Sequence, residues 1–340
     1  MSKEKEPQKI IYSGVQPTGK LHIGNYFGAL RNFVSLQTQY PCYFSIADLH
    51  SLTADFDPKE KMNQVLSLAM DYLAIGLDPK RCTIFVQSQV PEVAELAWIF
   101  NCITPVKELE RMTQFKDKAL VQKQNVNMGL FDYPVLQAAD ILLFRANAVP
   151  VGVDQVQHVE LARDTAKRFN AAFGETFAHP EALLTESPKI MSLTEPLKKM
   201  SKSLGEKTYI ALTDEPEVIR EKIGKAVTEA TGVIDEKKID PLDGGDAGMR
   251  GAWNLLEMLK LFGNAREYNR FKKMKKVSYK ELKEAVADEI IEHFSLFRRH
   301  RKELEKDPKK VMKILQAGAI RARKTAIATM DEVRRKIGIR

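Results

Sequence analysis

Cysteine is scarce. Cys42, Cys82 and Cys102 are the only three in 340 residues, too few and too widely spaced for a disulfide framework or a thiolate metal site. The six histidines show no paired metal-ligand spacing, so no metal site built by the protein itself is expected. No apolar run approaches the roughly 18–20 residues that a membrane span requires. The first ten residues, Met-Ser-Lys-Glu-Lys-Glu-Pro-Gln-Lys-Ile, are polar and lack the apolar segment of a secretory signal. Internal repeats and low-complexity tracts are missing too. These absences set aside a membrane, secreted or metal-stapled chain and leave a cytoplasmic globular protein as the expectation.

What is present supports a sizeable core: 44% of residues are hydrophobic and 29% charged. The length suggests about two domains at roughly 150 residues each. The net charge of +8 is unevenly spread. Residues 264–340 hold 23 Lys+Arg against 11 Asp+Glu, a net of +12, whereas residues 1–263 carry a net of −4. A polyanion partner is therefore expected at the C-terminal quarter, the plainer alternative being a solvated, lysine-rich helix surface.

The chain is organised around Ile10–Leu30. Ile10 and Ile11 suit a buried strand, Gly14, Pro17, Thr18 and Gly19 crowd into a turn, and from Leu21 the apolar period becomes helical, with Ile23, Phe27, Leu30 and Val34 on one face. Strand, glycine turn and helix start aim backbone N–H groups and the positive helix end at an anion. Further strands are expected at 41–48 and 82–87, and helices at 58–75 and 90–102. This alternation predicts a doubly wound parallel sheet with helices on both faces, whose ligands bind beyond the carboxyl ends of the strands.

Residues 105–130, charged and then Gln/Asn-rich, read as a mobile insertion. Tyr133, Gln137 and Asp140 then fall at i, i+4 and i+7 and share one face of an otherwise apolar helix. Such polar groups need partners, either a structural network or a ligand pocket. Ala148–Asp164 repeats the strand–turn–helix pattern. There Gly152 allows close backbone approach, and Asp154 is suited to ribose hydroxyls or to an ordinary N-cap. Lys189, Lys198, Lys199 and Lys202 lie within 14 residues, a basic loop suited to a pyrophosphate gaining charge during reaction. From Asp214 onward the pattern is helical, interrupted by a polar loop at 233–247.

Pro17-Thr18-Gly19-Lys20-Leu21-His22-Ile23-Gly24-Asn25 resembles the "HIGH" motif of the class I aminoacyl-tRNA synthetases, and Lys199-Met200-Ser201-Lys202-Ser203 is that class's second motif letter for letter. Gly14-Val15-Gln16-Pro17, Glu110-Arg111-Met112-Thr113-Gln114-Phe115-Lys116, Val149-Pro150-Val151-Gly152 with Asp154-Gln155 and Gln157-His158, and Ile190-Met191-Ser192-Leu193 extend the resemblance to the bacterial-type tryptophanyl enzymes. It is densest over residues 10–205.

The resemblance implies a Rossmann-like catalytic domain at 1–205 and an all-α, anticodon-binding domain at 206–340. It also implies ATP and L-tryptophan as substrates, Mg²⁺ carried with ATP, a tRNA(Trp) partner and a homodimer. Carried over by position, Gln16, Pro17, Thr18, Gly24 and Asn25 would line the ATP site, and His22 would meet the phosphates. Gly152, Val153 and Asp154 would hold ribose, and Ile190 would contact adenine. Lys199 and Lys202, with Met200, Ser201 and Ser203 of the same loop, would stabilise the departing pyrophosphate, with Lys118 a further candidate. Asp140 would accept the indole N–H, Tyr133 and Gln155 would recognise the α-amino group, and Tyr12, His50 and Gln137 would complete the side-chain pocket. Tyr12 and Gln137 stand where the family often has phenylalanine and methionine, and look more like the sister tyrosyl enzymes. Two readings from other classes are an RNA-binding paralogue without catalysis, which would have no use for the intact lysine motif, and a nucleotidylyltransferase, which would have no need of the basic helical end.

Overall fold

Five short segments, four of them carrying β-branched or aromatic residues and the last reading Glu-Ala-Leu-Leu, form the sheet of the computed structural model, which describes residues 8–113, 126–185, 188–234 and 246–339. The strands are β1 (Ile11–Val15), β2 (Cys42–Ile46), β3 (Thr83–Val86), β4 (Ala148–Val151) and β5 (Glu181–Leu184). The principal helices are α1 (Arg31–Leu36), α2 (Lys61–Ala74), α3 (Glu92–Asn101), α4 (Met128–Leu143), α5 (Val156–Phe173), α6 (Pro216–Gly224), α7 (Ala247–Leu261), α8 (Ala265–Lys272), α9 (Tyr279–His293), α10 (Ser295–Glu305) and α11 (Pro308–Ile337). The chain forms two compact units, built from the described residues within Met1–Thr18, Gly28–Glu186 and Leu304–Arg340, and within Gly19–Phe27 and Ser187–Glu303.

The first unit holds the sheet, ordered β3-β2-β1-β4-β5 with every pairing parallel. This is the doubly wound arrangement expected. β1 runs beside β2 over five positions, yet pairs with β4 at Ile11↔Ala148 alone. The side chain of Asn147 ties that lower end, accepting from the Ile10 N–H at 2.8 Å. Beyond it β1 and β4 part, and Pro150, which has no N–H to give, sits in β4 where no ladder partner from β1 remains. The reversal of strand order between β1 and β4 thus opens a crevice at the strands' carboxyl ends, where ligands of such sheets bind.

The core is aromatic at its centre. Phe144 stacks on Tyr12 (5.7 Å) and on Tyr43 (4.7 Å), and Phe85 meets it edge-on. α11 closes one side of this core, burying Ala322, Ala326, Met330 and Val333. Its Gly318 lies against the carbonyl of Ile84 in β3, where a Cβ would come within 1.7 Å of the oxygen. No other residue permits that approach. The boundary expected at 205/206 is thereby corrected: the last helix belongs to the sheet unit, and Gly19–Phe27 belongs to the helical one. Glu92 and Glu95 of α3 take Arg323 and Arg334 of α11 as partners, so part of the basic C-terminal charge is spent inside the first unit.

The single helix expected from Leu21 is broken. A three-residue helical turn, Ile23–Asn25, passes through a π-turn, Tyr26–Leu30, into α1. The wider turn rotates the following face, so that Phe33 is buried instead of Val34. In the second unit an aromatic cluster of Tyr26, Phe27, Phe262, His293 and Phe294 packs edge to face, with Phe27 and Phe262 at 4.9 Å. Residues 114–125, including Lys118 and the middle of the expected insertion, and 235–245 of the polar loop lie outside the described residues.

Candidate active site

A cavity of about 340 Å³ occupies the crevice of the first unit. Tyr12 and Gln16 come to it from β1 and the turn after it, His50 from the turn after β2, and Tyr133, Gln137 and Asp140 from one face of α4. Gly152 and Gln155 come from the turn after β4. The i, i+4, i+7 face expected of α4 is the face that lines this space. Asn127 caps that helix, accepting from the Leu130 N–H at 2.9 Å. Phe33, Ala47, Ile141 and Val149 supply apolar walls.

Asp140 is the buried charge of this cavity, at 2% exposure. His50 Nε2 lies 2.8 Å from its Oδ2, and the Gln87 amide nitrogen donates to both carboxylate oxygens at 2.9 and 2.8 Å. A buried carboxylate without such donors would be costly. Gln87 is itself oriented, because its Oε1 accepts from the Leu49 N–H at 3.1 Å, so only its amino group can turn to Asp140. The Tyr12 hydroxyl is bonded to Ser45 Oγ at 2.7 Å. Burial raises its pKa well above the ordinary phenol value, and the Asp140 charge beside it raises it further. Tyr12 therefore stays protonated, its hydroxyl engaged by Ser45 and Asp140. Gly14 is required here, since a Cβ would sit 2.6 Å from Ser45 Oγ. Tyr133 pairs through its hydroxyl with His158 Nε2 at 2.9 Å, and burial pushes its pKa up to about 12.

Gln155 donates to Asp154 at 3.0 Å. Gly152 leaves room for that aspartate, whose Oδ1 would lie 2.8 Å from an added Cβ. Pro17, Thr18, Val153 and Asp154 belong to the same unit but do not line the cavity.

The second unit gathers the remaining candidates. His22 caps the Ile23–Asn25 turn: its Nδ1 accepts from the Gly24 N–H at 3.1 Å, and Asn25 Oδ1 accepts from the His22 N–H at 3.1 Å. The turn is held by backbone bonds to a neighbouring segment, from Ile23 N–H to Ile210 O at 3.1 Å and from Leu212 N–H to Leu21 O at 2.9 Å. Asp214 fixes that segment, accepting from the Ala211 N–H at 2.9 Å and from Lys222 at 2.7 Å. Burial first, then the charges of Lys202 and Lys199, lower the His22 pKa to about 4. With Nδ1 accepting, the neutral ring carries its proton on Nε2 and offers a hydrogen-bond donor at neutral pH.

In the lysine loop, Met200 and Ile190 are buried while Lys199 is exposed. The Ser201 side chain caps the Lys202–Leu204 turn, 3.4 Å from the Ser203 N–H, and also bonds the Ser203 hydroxyl at 2.9 Å. Gly19 lies near the Lys202 stem, with 3.7 Å from a would-be Cβ to Cδ.

Gln87, Ser45, Asp214 and Lys222 were not singled out by sequence reasoning, and His158 was noted only as part of the Gln157-His158 motif, without a role. Gln87 had a usable signal, being a polar residue at the carboxyl end of a parallel strand. Ser45 and His158 act through partners 33 and 25 positions away in the chain, whereas Asp214 and Lys222 partner each other within one helical segment and its lead-in.

The family model for class I tRNA synthetases (W and Y) matches residues 3–295. This chain belongs to that family. The tryptophan–tRNA ligase of Caldanaerobacter subterraneus subsp. tengcongensis is 45% identical over 97% of this chain and 98% of that protein. That of Clostridium acetobutylicum is 43% identical, with 98% of each covered. Among solved structures, the Campylobacter jejuni tryptophanyl-tRNA synthetase complexed with ADP and tryptophan has a TM-score of 0.83 at 34% identity, covering 97% of this chain and 99% of that one. The resemblance carried by the two signature motifs is borne out, down to the bacterial tryptophan branch.

Proposed function

We propose that this chain attaches L-tryptophan to its tRNA in two steps. The tryptophan carboxylate attacks the α-phosphate of ATP, giving tryptophanyl-adenylate and pyrophosphate, and the adenylate then esterifies the terminal ribose of tRNA(Trp). The attacking carboxylate is already ionised, so the first step needs no general base, and catalysis rests on positioning and electrostatics. The observation that carries the reading is the Asp140 carboxylate in the switch-point cavity, buried and held by His50 and Gln87. It accepts the indole N–H, while Tyr133 and Gln155 take the α-amino group and Tyr12 and Gln137 complete the wall.

For ATP, Gln16, Pro17, Thr18, Gly152, Val153 and Asp154 take the nucleoside in the first unit. In the second, Ile190 contacts adenine and Gly24 and Asn25 present backbone and amide donors. His22 gives its Nε2–H to a phosphate, and Lys199 and Lys202, on the loop with Met200, Ser201 and Ser203, meet the charge that grows on pyrophosphate. Mg²⁺ enters bound to the ATP phosphates. Lys202→Ala is expected to slow ATP–pyrophosphate exchange at least tenfold, about 1.4 kcal/mol of barrier. A fall of less than twofold would remove Lys202 from this role.

The tRNA partner is met by the basic part of the second unit, where Lys273, Lys275 and Lys276 are exposed between α8 and α9. The chain acts as a homodimer in the cytoplasm. Exposed apolar side chains of the first unit, Met62, Trp98, Val106 and Met128 among them, support a protein-facing surface, and no helix among the described residues is long and apolar enough to cross a membrane. Sedimentation of the purified chain tests the dimer: a monomer at micromolar concentration would refute it.

A further inference from the structure

We propose that Asn254 is a positioning residue for adenylate formation, holding the segment that carries Ile190 and pairs with Lys199; the proposal rests on the role given above to the lysine loop. Asn254 lies on α7 and is buried at 6%, on a helix whose Ala252, Leu255, Leu256 and Met258 are buried as well. An amide in such surroundings must find partners for both its ends. Both go to one residue: Oδ1 accepts from the Met191 N–H at 2.9 Å, and Nδ2 donates to the Met191 carbonyl at 3.1 Å.

The significance lies in which side of the backbone this engages. Successive residues of an extended segment direct their N–H and C=O groups to opposite sides. Ile190 and Ser192 use theirs on the lysine loop, with Met200 N–H donating to Ile190 O and Ser192 N–H to Lys198 O, both at 2.9 Å. Met191 faces Lys199 in that antiparallel bridge. Residues 190–192 are therefore the middle of three layers: Lys198–Met200 on one side and a single side-chain amide on the other, in the place a third strand would occupy.

α7 is pressed close enough to serve. A Cβ on its Gly251 would lie 2.0 Å from the Val227 carbonyl and 3.3 Å from Pro196, and the Val227 N–H in turn donates to Leu193 O at 2.8 Å. The helix thus clamps residues on both sides of the turn that leads into the lysine loop. The base of the loop is thereby fixed in register beneath Lys199. Slippage at Met191 would shift Ile190 and Lys199 together, changing ATP binding and the rate of adenylate formation without touching the tryptophan cavity of the first unit.

Three full-length variants decide the matter: Asn254→Leu, Asn254→Asp and, as a control on the loop itself, Lys202→Ala. Thermal melting establishes which are folded. In ATP–pyrophosphate exchange, Asn254→Leu is expected to raise KM for ATP at least fivefold and lower kcat at least fivefold. Tryptophan affinity, measured by equilibrium dialysis without ATP, should stay within twofold of the parent. A folded Asn254→Leu chain whose ATP KM and kcat both stay within twofold overturns the proposal. If that variant does not fold, Asn254→Asp carries the test. Its carboxylate repels the Met191 carbonyl until protonated, so ATP KM should be at least fivefold high at pH 8 and recover toward the parent at pH 6, and a KM within twofold at pH 8 overturns it. Lys202→Ala separates the two readings. If it too leaves exchange unchanged, the lysine-loop role fails; if it slows exchange while both Asn254 variants do not, only the positioning role fails.

Discussion

In the first unit His50 meets a carboxylate, its Nε2 2.8 Å from a buried Asp140 whose oxygens are also claimed by Gln87. In the second unit His22 meets cations, with Lys202 and Lys199 depressing its pKa to about 4 on top of burial. The same side chain stands in opposite company, as the two proposed tasks require. Selecting an amino acid calls for a dry, satisfied network whose members cannot reorient. Meeting phosphates calls for donors and positive charge, one neutral N–H fixed by a cap and lysine charges beside it. On the proposed assignment, variants of the Asp140 network in the first unit should therefore act on the amino acid, and those of His22 and the lysine loop in the second on ATP and the rate.

The largest expected effect is in the first unit. Asp140→Leu strands the donors of His50 and Gln87 in a buried cavity and should lower kcat/KM for tryptophan at least 1000-fold, about 4 kcal/mol, with KM for ATP little changed. A loss below tenfold would mean that Asp140 serves packing alone. Next comes Lys202→Ala, whose tenfold or greater slowing of exchange should leave tryptophan affinity within twofold; a parallel loss of tryptophan binding would blur the division between the units.

The contrast between the histidines predicts a pH effect of definite sign. Between the folded value of about 4 and the ordinary 6.5, the unfolded chain binds a proton that the folded chain refuses at His22. Stability therefore rises with pH across that window and is lost as pH falls through it, by up to about 3 kcal/mol. His22→Gln should flatten the fall in Tm between pH 6.5 and pH 4, and a fall parallel to the parent's would contradict the neutral-histidine assignment. The smallest effect belongs to the tRNA contact. Replacing Lys273, Lys275 and Lys276 by alanine should reduce the salt slope of tRNA binding by about 2 and leave exchange untouched, since each phosphate contact contributes roughly 0.7 to the slope on single strands. An unchanged slope would move the RNA contact elsewhere.

The strand–helix rhythm and the shared face of Tyr133, Gln137 and Asp140 were legible because period and spacing are local properties. The interruption by a π-turn was not: Ile23, Phe27, Leu30 and Val34 fit one ordinary helical face, and only the structure, with Phe33 buried, shows the register shift. The allocation of the last helix was hidden for a related reason. α11 reads as a basic, solvated helix, whereas Gly318, Ala322 and Ala326 form a stripe of small residues that lets it lie against β3. This changes what a deletion can teach. Removing 264–340, the quarter where a polyanion partner is expected, would also strip the core of the sheet unit, so the lysine replacements are the cleaner test. Asp140 could be named from the motifs, but Gln87 and Ser45, which set its donors and the Tyr12 hydroxyl, come from just after β3 and from β2, 53 and 95 positions before it in the chain.

The account stands or falls on amino-acid activation by the intact chain. ATP–pyrophosphate exchange should be measured with each of the twenty amino acids at equal concentration. Tryptophan should support exchange at least 100-fold faster than tyrosine or phenylalanine, and Asp140→Leu should erase that preference. Exchange driven as well or better by tyrosine would contradict the assignment of the cavity and hand Tyr12 and Gln137 to a phenol-binding role.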